Sequence, residues 1–127
     1  MNQEADDFFR SVISNPEQPL VMFAVEWCEF CWAVRKLFAA LAVPYRAIDL
    51  DTGEFLENDH GENIRAVLKA HTGSPTIPQI FIGGKYIGGA TATFDAYKQG
   101  TLQTQLRQAG LDFKDIPGLD PYHLLSV

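Results

Sequence analysis

Apolar residues recur along the chain in two patterns, helical spacing and short unbroken runs, and their order predicts the fold. From Gln3 to Ser14, Ala5, Phe8, Phe9, Val12 and Ile13 fall at helical spacing, and Asn15-Pro16 stops the run. Leu20 to Val25 is six unbroken apolar residues, which suits a strand covered on both faces. Val34, Leu37, Phe38 and Leu41 then stand at i, i+3, i+4 and i+7, one face of a helix over Glu29 to Ala42 that Pro44 ends. Tyr45 to Leu50 reads as a second strand. Strand, helix and strand at these lengths form a βαβ unit, so the two strands should be parallel.

Asp51 to Glu62 is polar and acidic, contains Gly53 and Gly61, and reads as a solvated loop. Ile64, Val67 and Leu68 mark a further helix, with Gly73 just past its end. Ile80-Phe81-Ile82 and Tyr86-Ile87 flank Gly83-Gly84, the kind of two-residue turn that a hairpin demands. Thr91 to Ala109 has helical period at Phe94, Tyr97, Leu102 and Leu106, although Gly100 interrupts it and Gly110 ends it. Leu111 to Val127 has two prolines and no period, and reads as a tail laid on the surface, with Tyr122 and Leu124 docking on the domain. The expected order is α-β-α-β-α-β-β-α: an α/β fold with a small mixed sheet and helices on both faces.

At 127 residues the chain suits one domain. Apolar residues at 46% and charged ones at 20% argue against disorder and against a coiled coil. No apolar run approaches the roughly 20 residues of a membrane span, so no membrane partner is expected. The acidic start, Met1 to Asp7, shows no secretory signal, and the expected location is the cytoplasm. A net charge of -6 leaves nothing to neutralise phosphates, so no nucleic-acid partner is expected.

The informative chemistry is sulfur. The two cysteines are Cys28 and Cys31, one helical turn apart, where the first strand enters a helix. A disulfide framework needs more cysteines at wider spacing, and a structural zinc site needs two further ligands. His60, His71 and His123 stand in no paired spacing and are expected at the surface without a proton-transfer partner, so no metal site is assigned. The beginning of a helix favours a thiolate, and open α/β sheets place their sites at this edge. Cys28 is therefore the expected nucleophile and Cys31 the resolving thiol. Two further features accompany the pair. Thr76-Ile77-Pro78 precedes a strand, and Gly88-Gly89 precedes a helix whose N–H groups suit a carboxylate.

Three segments, in order, resemble the glutaredoxins: Trp27-Cys28-Glu29-Phe30-Cys31, Thr76-Ile77-Pro78-Gln79-Ile80-Phe81-Ile82-Gly83-Gly84-Lys85 and Tyr86-Ile87-Gly88-Gly89. The similarity runs from about Leu20 to Leu111 and includes the Gly100-Thr101-Leu102 stretch. It implies a thioredoxin-like fold with a four-stranded mixed sheet, a glutaredoxin-like domain over 1–110 and a C-terminal tail over 111–127. It also implies a cis bond before Pro78 and thiol–disulfide exchange with glutathione as cosubstrate, through a glutathionyl disulfide on Cys28. The glutathione-binding residues carried over are Phe30, Arg65, Thr76, Ile77, Pro78, Gly89, Ala90 and Thr91.

Departures from the family pattern sharpen the expectation. Glu29 replaces the usual proline, and Val25 stands where a lysine is typical, so Glu26 and Glu29 bracket the nucleophile with no adjacent cation. Like charge then makes the Cys28 thiolate less favoured than in typical members. Ala92 stands where an acidic residue usually meets the glutathione amino group, while Arg65 is placed to pair with the glycyl carboxylate. Weakened glutathione binding is the result. The leading expectation is a monomeric, glutathione-linked oxidoreductase that reduces protein disulfides or glutathionylated proteins. The alternatives are a [2Fe–2S] carrier or sensor, with Cys28 as the protein ligand, and a non-catalytic binding module.

Overall fold

The computed structural model of the protein describes residues 2–125. Helix α1 (Gln3–Ile13) leads into strand β1 (Leu20–Ala24), helix α2 (Glu29–Ala40) and strand β2 (Arg46–Asp49). A 3-10 segment (Gly53–Asp59) follows, then helix α3 (His60–Thr72) and the hairpin strands β3 (Gln79–Ile82) and β4 (Lys85–Gly88). Helices α4 (Ala90–Gln99) and α5 (Thr101–Gln108) and a second 3-10 segment (Pro121–Leu125) complete the order.

The sheet runs β2-β1-β3-β4. As the βαβ unit requires, β1 is parallel to β2, with Val21 opposite Arg46. Strand β3 is antiparallel to both β1 and β4. All five residues of β1 are buried, because the strand divides two cores. Leu20, Met22 and Ala24 face Val34, Leu37 and Phe38 of α2 and Phe94 and Leu102 of the last two helices. Val21 and Phe23 face Phe9 and Val12 of α1 and Ile64 and Leu68 of α3. An apolar run without alternation is what this position demands.

The structure corrects two expectations. First, Asp51 to Glu62 is not a plain solvated loop. Residues 53–59 form the 3-10 segment, Phe55 meets Phe8 edge-on at 5.7 Å, and His60 stacks on Phe55 at 5.5 Å. Left-handed Asn58 and Asp59 (φ 52 and 58) set the start of α3 at His60. Gly61 packs there so closely that a Cβ would lie 2.2 Å from Leu50 O. One ring, Phe55, makes most of this contact, so no periodicity announces it. Second, His71 and His123 are exposed as expected, but His71 has a partner. His71 Nε2 is 2.8 Å from Asp6 Oδ1, and its ring stacks on Phe9 at 4.8 Å. The helical run over Thr91 to Ala109 is interrupted at Gly100, as expected, where φ 85 separates α4 from α5.

The tail does more than lie on the surface. Lys114 N donates to Leu41 O at 2.6 Å, and Tyr97 Oη donates to Ile116 O at 2.9 Å. Tyr122 meets Phe94 edge-on at 5.3 Å and donates its hydroxyl to Asp95. Of the tail as expected, Ser126 and Val127 lie outside the described residues.

Candidate active site

Strand β1 ends beneath the start of α2, and the residue that caps this helix is Cys28. Its backbone is extended (φ -140, ψ 115), and its Sγ accepts the Cys31 N–H at 3.2 Å. The sulfur thus takes the place that a serine or asparagine oxygen usually fills at a helix cap. A donor aimed at this atom, at the positive end of the helix, suits a sulfur carrying negative charge. Both cysteines are free; Cys28 is half-buried and Cys31 fully buried. Burial, and then the hydrogen bond with Cys28, push the Cys31 thiol up to about 12. At neutral pH Cys31 therefore keeps its proton, and Cys28 is the accessible sulfur of the pair.

Facing the sulfur is the segment between α3 and β3. Its Ile77–Pro78 bond is cis, as the family resemblance implies. Ile77 O lies 4.0 Å from Cys28 Sγ. Gln79, 1% exposed, ties this segment down: Nε2 donates to Ser74 O at 2.7 Å and to Thr76 O at 3.1 Å. Its Oε1 accepts from Thr72 Oγ1 at 3.2 Å. Sequence reasoning missed Gln79 as a site residue. The available signal was an amide opening the otherwise apolar run Gln79 to Ile82, both faces of which are buried.

The third wall is the start of α4. Gly88 takes φ 133, where a Cβ would meet the Ala92 Cβ at 2.6 Å. At Gly89 a Cβ would sit 3.3 Å from Pro78 O, so glycine lets the helix start press against the Pro78 segment. No side chain caps α4, which leaves its first N–H groups open to an anion. Phe30, Ser74, Thr76, Ile77, Pro78, Tyr86, Gly89, Ala90 and Thr91 line one groove of about 370 Å³. All the expected binding residues meet there except Arg65. That residue lines a separate hollow of about 190 Å³, together with Val25, Asp51, Asp59 and Glu62. Arg65 thus shares a hollow with Val25, the position where the family's usual lysine is absent.

A family model for glutaredoxin matches residues 20–87, from β1 to β4 and more than half of the chain. This chain belongs to the glutaredoxin family. A glutaredoxin of Ricinus communis is 40% identical over 91 residues, which are 72% of this chain and 84% of that protein. Glutaredoxin-C2 of Arabidopsis thaliana is 38% identical over 93 residues, 73% of this chain and 79% of that one. Among solved structures, a buckwheat glutaredoxin–glutathione complex aligns with a TM-score of 0.73 at 32% identity, covering 87% of this chain and 97% of that one. The thioredoxin-like α/β fold, with its four-stranded mixed sheet between helices, is therefore that of a glutaredoxin. Glutaredoxin membership carries the coarse function, oxidoreduction of thiols and disulfides. The Cys28–Cys31 pair at the start of α2 is where this glutaredoxin holds its CxxC motif.

Proposed function

We propose that the chain is a glutathione-linked thiol–disulfide oxidoreductase that reduces protein disulfides or glutathionylated proteins. One observation carries the reading: Cys28 Sγ is accessible, accepts the Cys31 N–H at 3.2 Å, and lies 4.0 Å from the carbonyl of Ile77, a residue that lines the groove. In the proposed cycle, Cys28 thiolate attacks one sulfur of a disulfide, forming a mixed disulfide and releasing the other sulfur as thiolate. Cys31 then attacks Cys28 Sγ, passing its proton to the departing sulfur, which leaves as the second thiol. This step leaves a Cys28–Cys31 disulfide. One glutathione thiolate opens that disulfide at Cys28, and a second releases glutathione disulfide and restores both thiols. In the monothiol branch, Cys28 takes the glutathionyl group from a protein, and free glutathione removes it. The high proton affinity of Cys31 keeps it silent until a mixed disulfide forms beside it.

Bound glutathione has a place for each end in this reading. Its peptide backbone pairs with Ile77, and one carboxylate meets the uncapped start of α4 near Ala90 and Thr91. Its glycyl carboxylate reaches toward Arg65. Arg65→Ala should raise the KM for glutathione about threefold or more, the effect of one exposed charge pair. An unchanged KM removes Arg65 from the site.

An exchange assay with glutathione on wild type, Cys28→Ser and Cys31→Ser tests the whole. Activity should vanish in Cys28→Ser. Retention in Cys31→Ser assigns the monothiol route, and loss assigns dithiol transfer. Undiminished activity in Cys28→Ser contradicts the proposal.

A further inference from the structure

Glu26 and Trp27, just ahead of Cys28, form a second surface outside the lining of the groove. Glu26 is held at both backbone groups: its N–H donates to the Asp51 carboxylate at 2.9 and 3.1 Å, and its carbonyl accepts the Trp32 indole N–H at 2.6 Å. Arg35 sits over the face of Trp32 at 4.9 Å and pairs with Asp49, so this support is itself anchored. From the clamped backbone the next side chain, Trp27, projects with 92% of its surface exposed. It is absent from the lining of the groove, and it adjoins the nucleophile in sequence. A fixed backbone that displays an indole beside a reactive sulfur fits an interface anchor, since tryptophan is enriched among the residues that dominate binding.

Carboxylates outnumber cations in the segments next to this indole. Glu26 and Glu29 flank Trp27-Cys28, are exposed, and have no ion-pair partner among the described residues. Asp51, bonded to Glu26 N, continues into the hollow where Asp59 and Glu62 outnumber Arg65. Arg35 is occupied by Asp49. An exposed indole flanked in the chain by exposed carboxylates complements an ammonium or guanidinium group, by cation–π contact and by Coulomb attraction.

We propose that the Glu26–Trp27–Glu29 surface selects polypeptides whose reacting cysteine is flanked by arginine or lysine. It makes this glutaredoxin discriminate in favour of basic protein substrates. The inference rests on the exchange reading above and names its substrate class. The glutathionyl half of such a substrate occupies the groove, and the basic segment lies across Trp27. Cys28 thiolate attacks the glutathione sulfur, the peptide leaves as its thiolate, and a second glutathione then frees Cys28 as glutathione disulfide forms.

The test uses three glutathionylated peptides of equal length, whose cysteine is flanked by arginine, by serine or by glutamate. With wild type at low salt, kcat/KM should favour the arginine peptide over the glutamate peptide by about tenfold. The gap should close as salt shortens the screening length to about 3 Å near 1 M. Trp27→Ala should slow the arginine peptide more than the serine peptide, and Glu26→Gln should narrow the arginine-to-glutamate ratio. Because each readout is a ratio between peptides, a general change in thiolate reactivity cancels. Equal rates for the three peptides at low salt, or a preference that neither variant moves, overturn the inference while leaving the exchange reading intact. Failure to turn over even the serine peptide overturns both.

Discussion

At Gln79 a buried amide fixes the wall that faces the nucleophile. Its three hydrogen bonds join Thr72 at the end of α3 to Ser74 and Thr76 in the segment beyond, so the position of Ile77 depends on a side chain that touches no substrate. Gln79→Leu keeps the bulk but strips Ser74 O and Thr76 O of their donor, which should cost about 1–3 kcal/mol in urea unfolding. The same variant should raise the KM for glutathione. A KM unchanged in a destabilised protein would confine Gln79 to a structural role. Residues of this kind are hard to see in a sequence, because their partners are backbone atoms that any residue supplies. Cys28, Cys31, Pro78 and Gly89 stood out for the opposite reason: thiol chemistry, proline geometry and a glycine turn before a helix each restrict the residue type.

Elements were legible wherever one face or both faces met a core. Strand β1 and helices α1 to α3 follow from apolar spacing because tertiary burial and local pattern agree there. The 3-10 segment was not, since a single ring and two left-handed residues build it. Nor was the junction between α1 and α3, where Asp6 bonds Arg10 at 2.7 Å and approaches His71, 65 residues away, at 2.8 Å. The hydrogen bonds from Arg10 and then His71 hold the Asp6 carboxyl below its usual value of 3.8. A carboxyl with a lowered native value adds stability above its unfolded value and loses it as pH falls through the native one. Asp6→Asn should therefore be less stable than wild type at about pH 5 and above, and the difference should shrink toward about pH 2. Urea midpoints across that range check this. A difference that does not depend on pH would mean that the carboxylate charge contributes nothing.

On the scale of the whole molecule, the tail completes one of the two cores. Leu111, Phe113, Ile116, Leu119, Tyr122 and Leu124 pack against the side of the sheet that carries α2 and α4. Tyr122 also places its hydroxyl 3.5 Å from Thr91 O, at the lip of the groove. Ending the chain at Gly110 removes these side chains together and should lower stability by at least about 2 kcal/mol, read from the urea midpoint. An unchanged midpoint would make the tail an ornament of the fold. The tail carried no periodic signal because it buries isolated side chains from irregular backbone, anchored through Lys114 N and Tyr97 Oη.

The central claim is a division of labour between two sulfurs, one accessible at the cap of α2 and the other protonated in the core. Brief alkylation with iodoacetamide, mapped by peptide mass across pH, reads both at once. At pH 7 the account predicts that Cys28 labels faster than the free thiol of glutathione. It predicts that Cys31, buried and protonated, stays unlabelled at that pH. Labelling of Cys31 at neutral pH as fast as Cys28, or a Cys28 slower than glutathione, would contradict it.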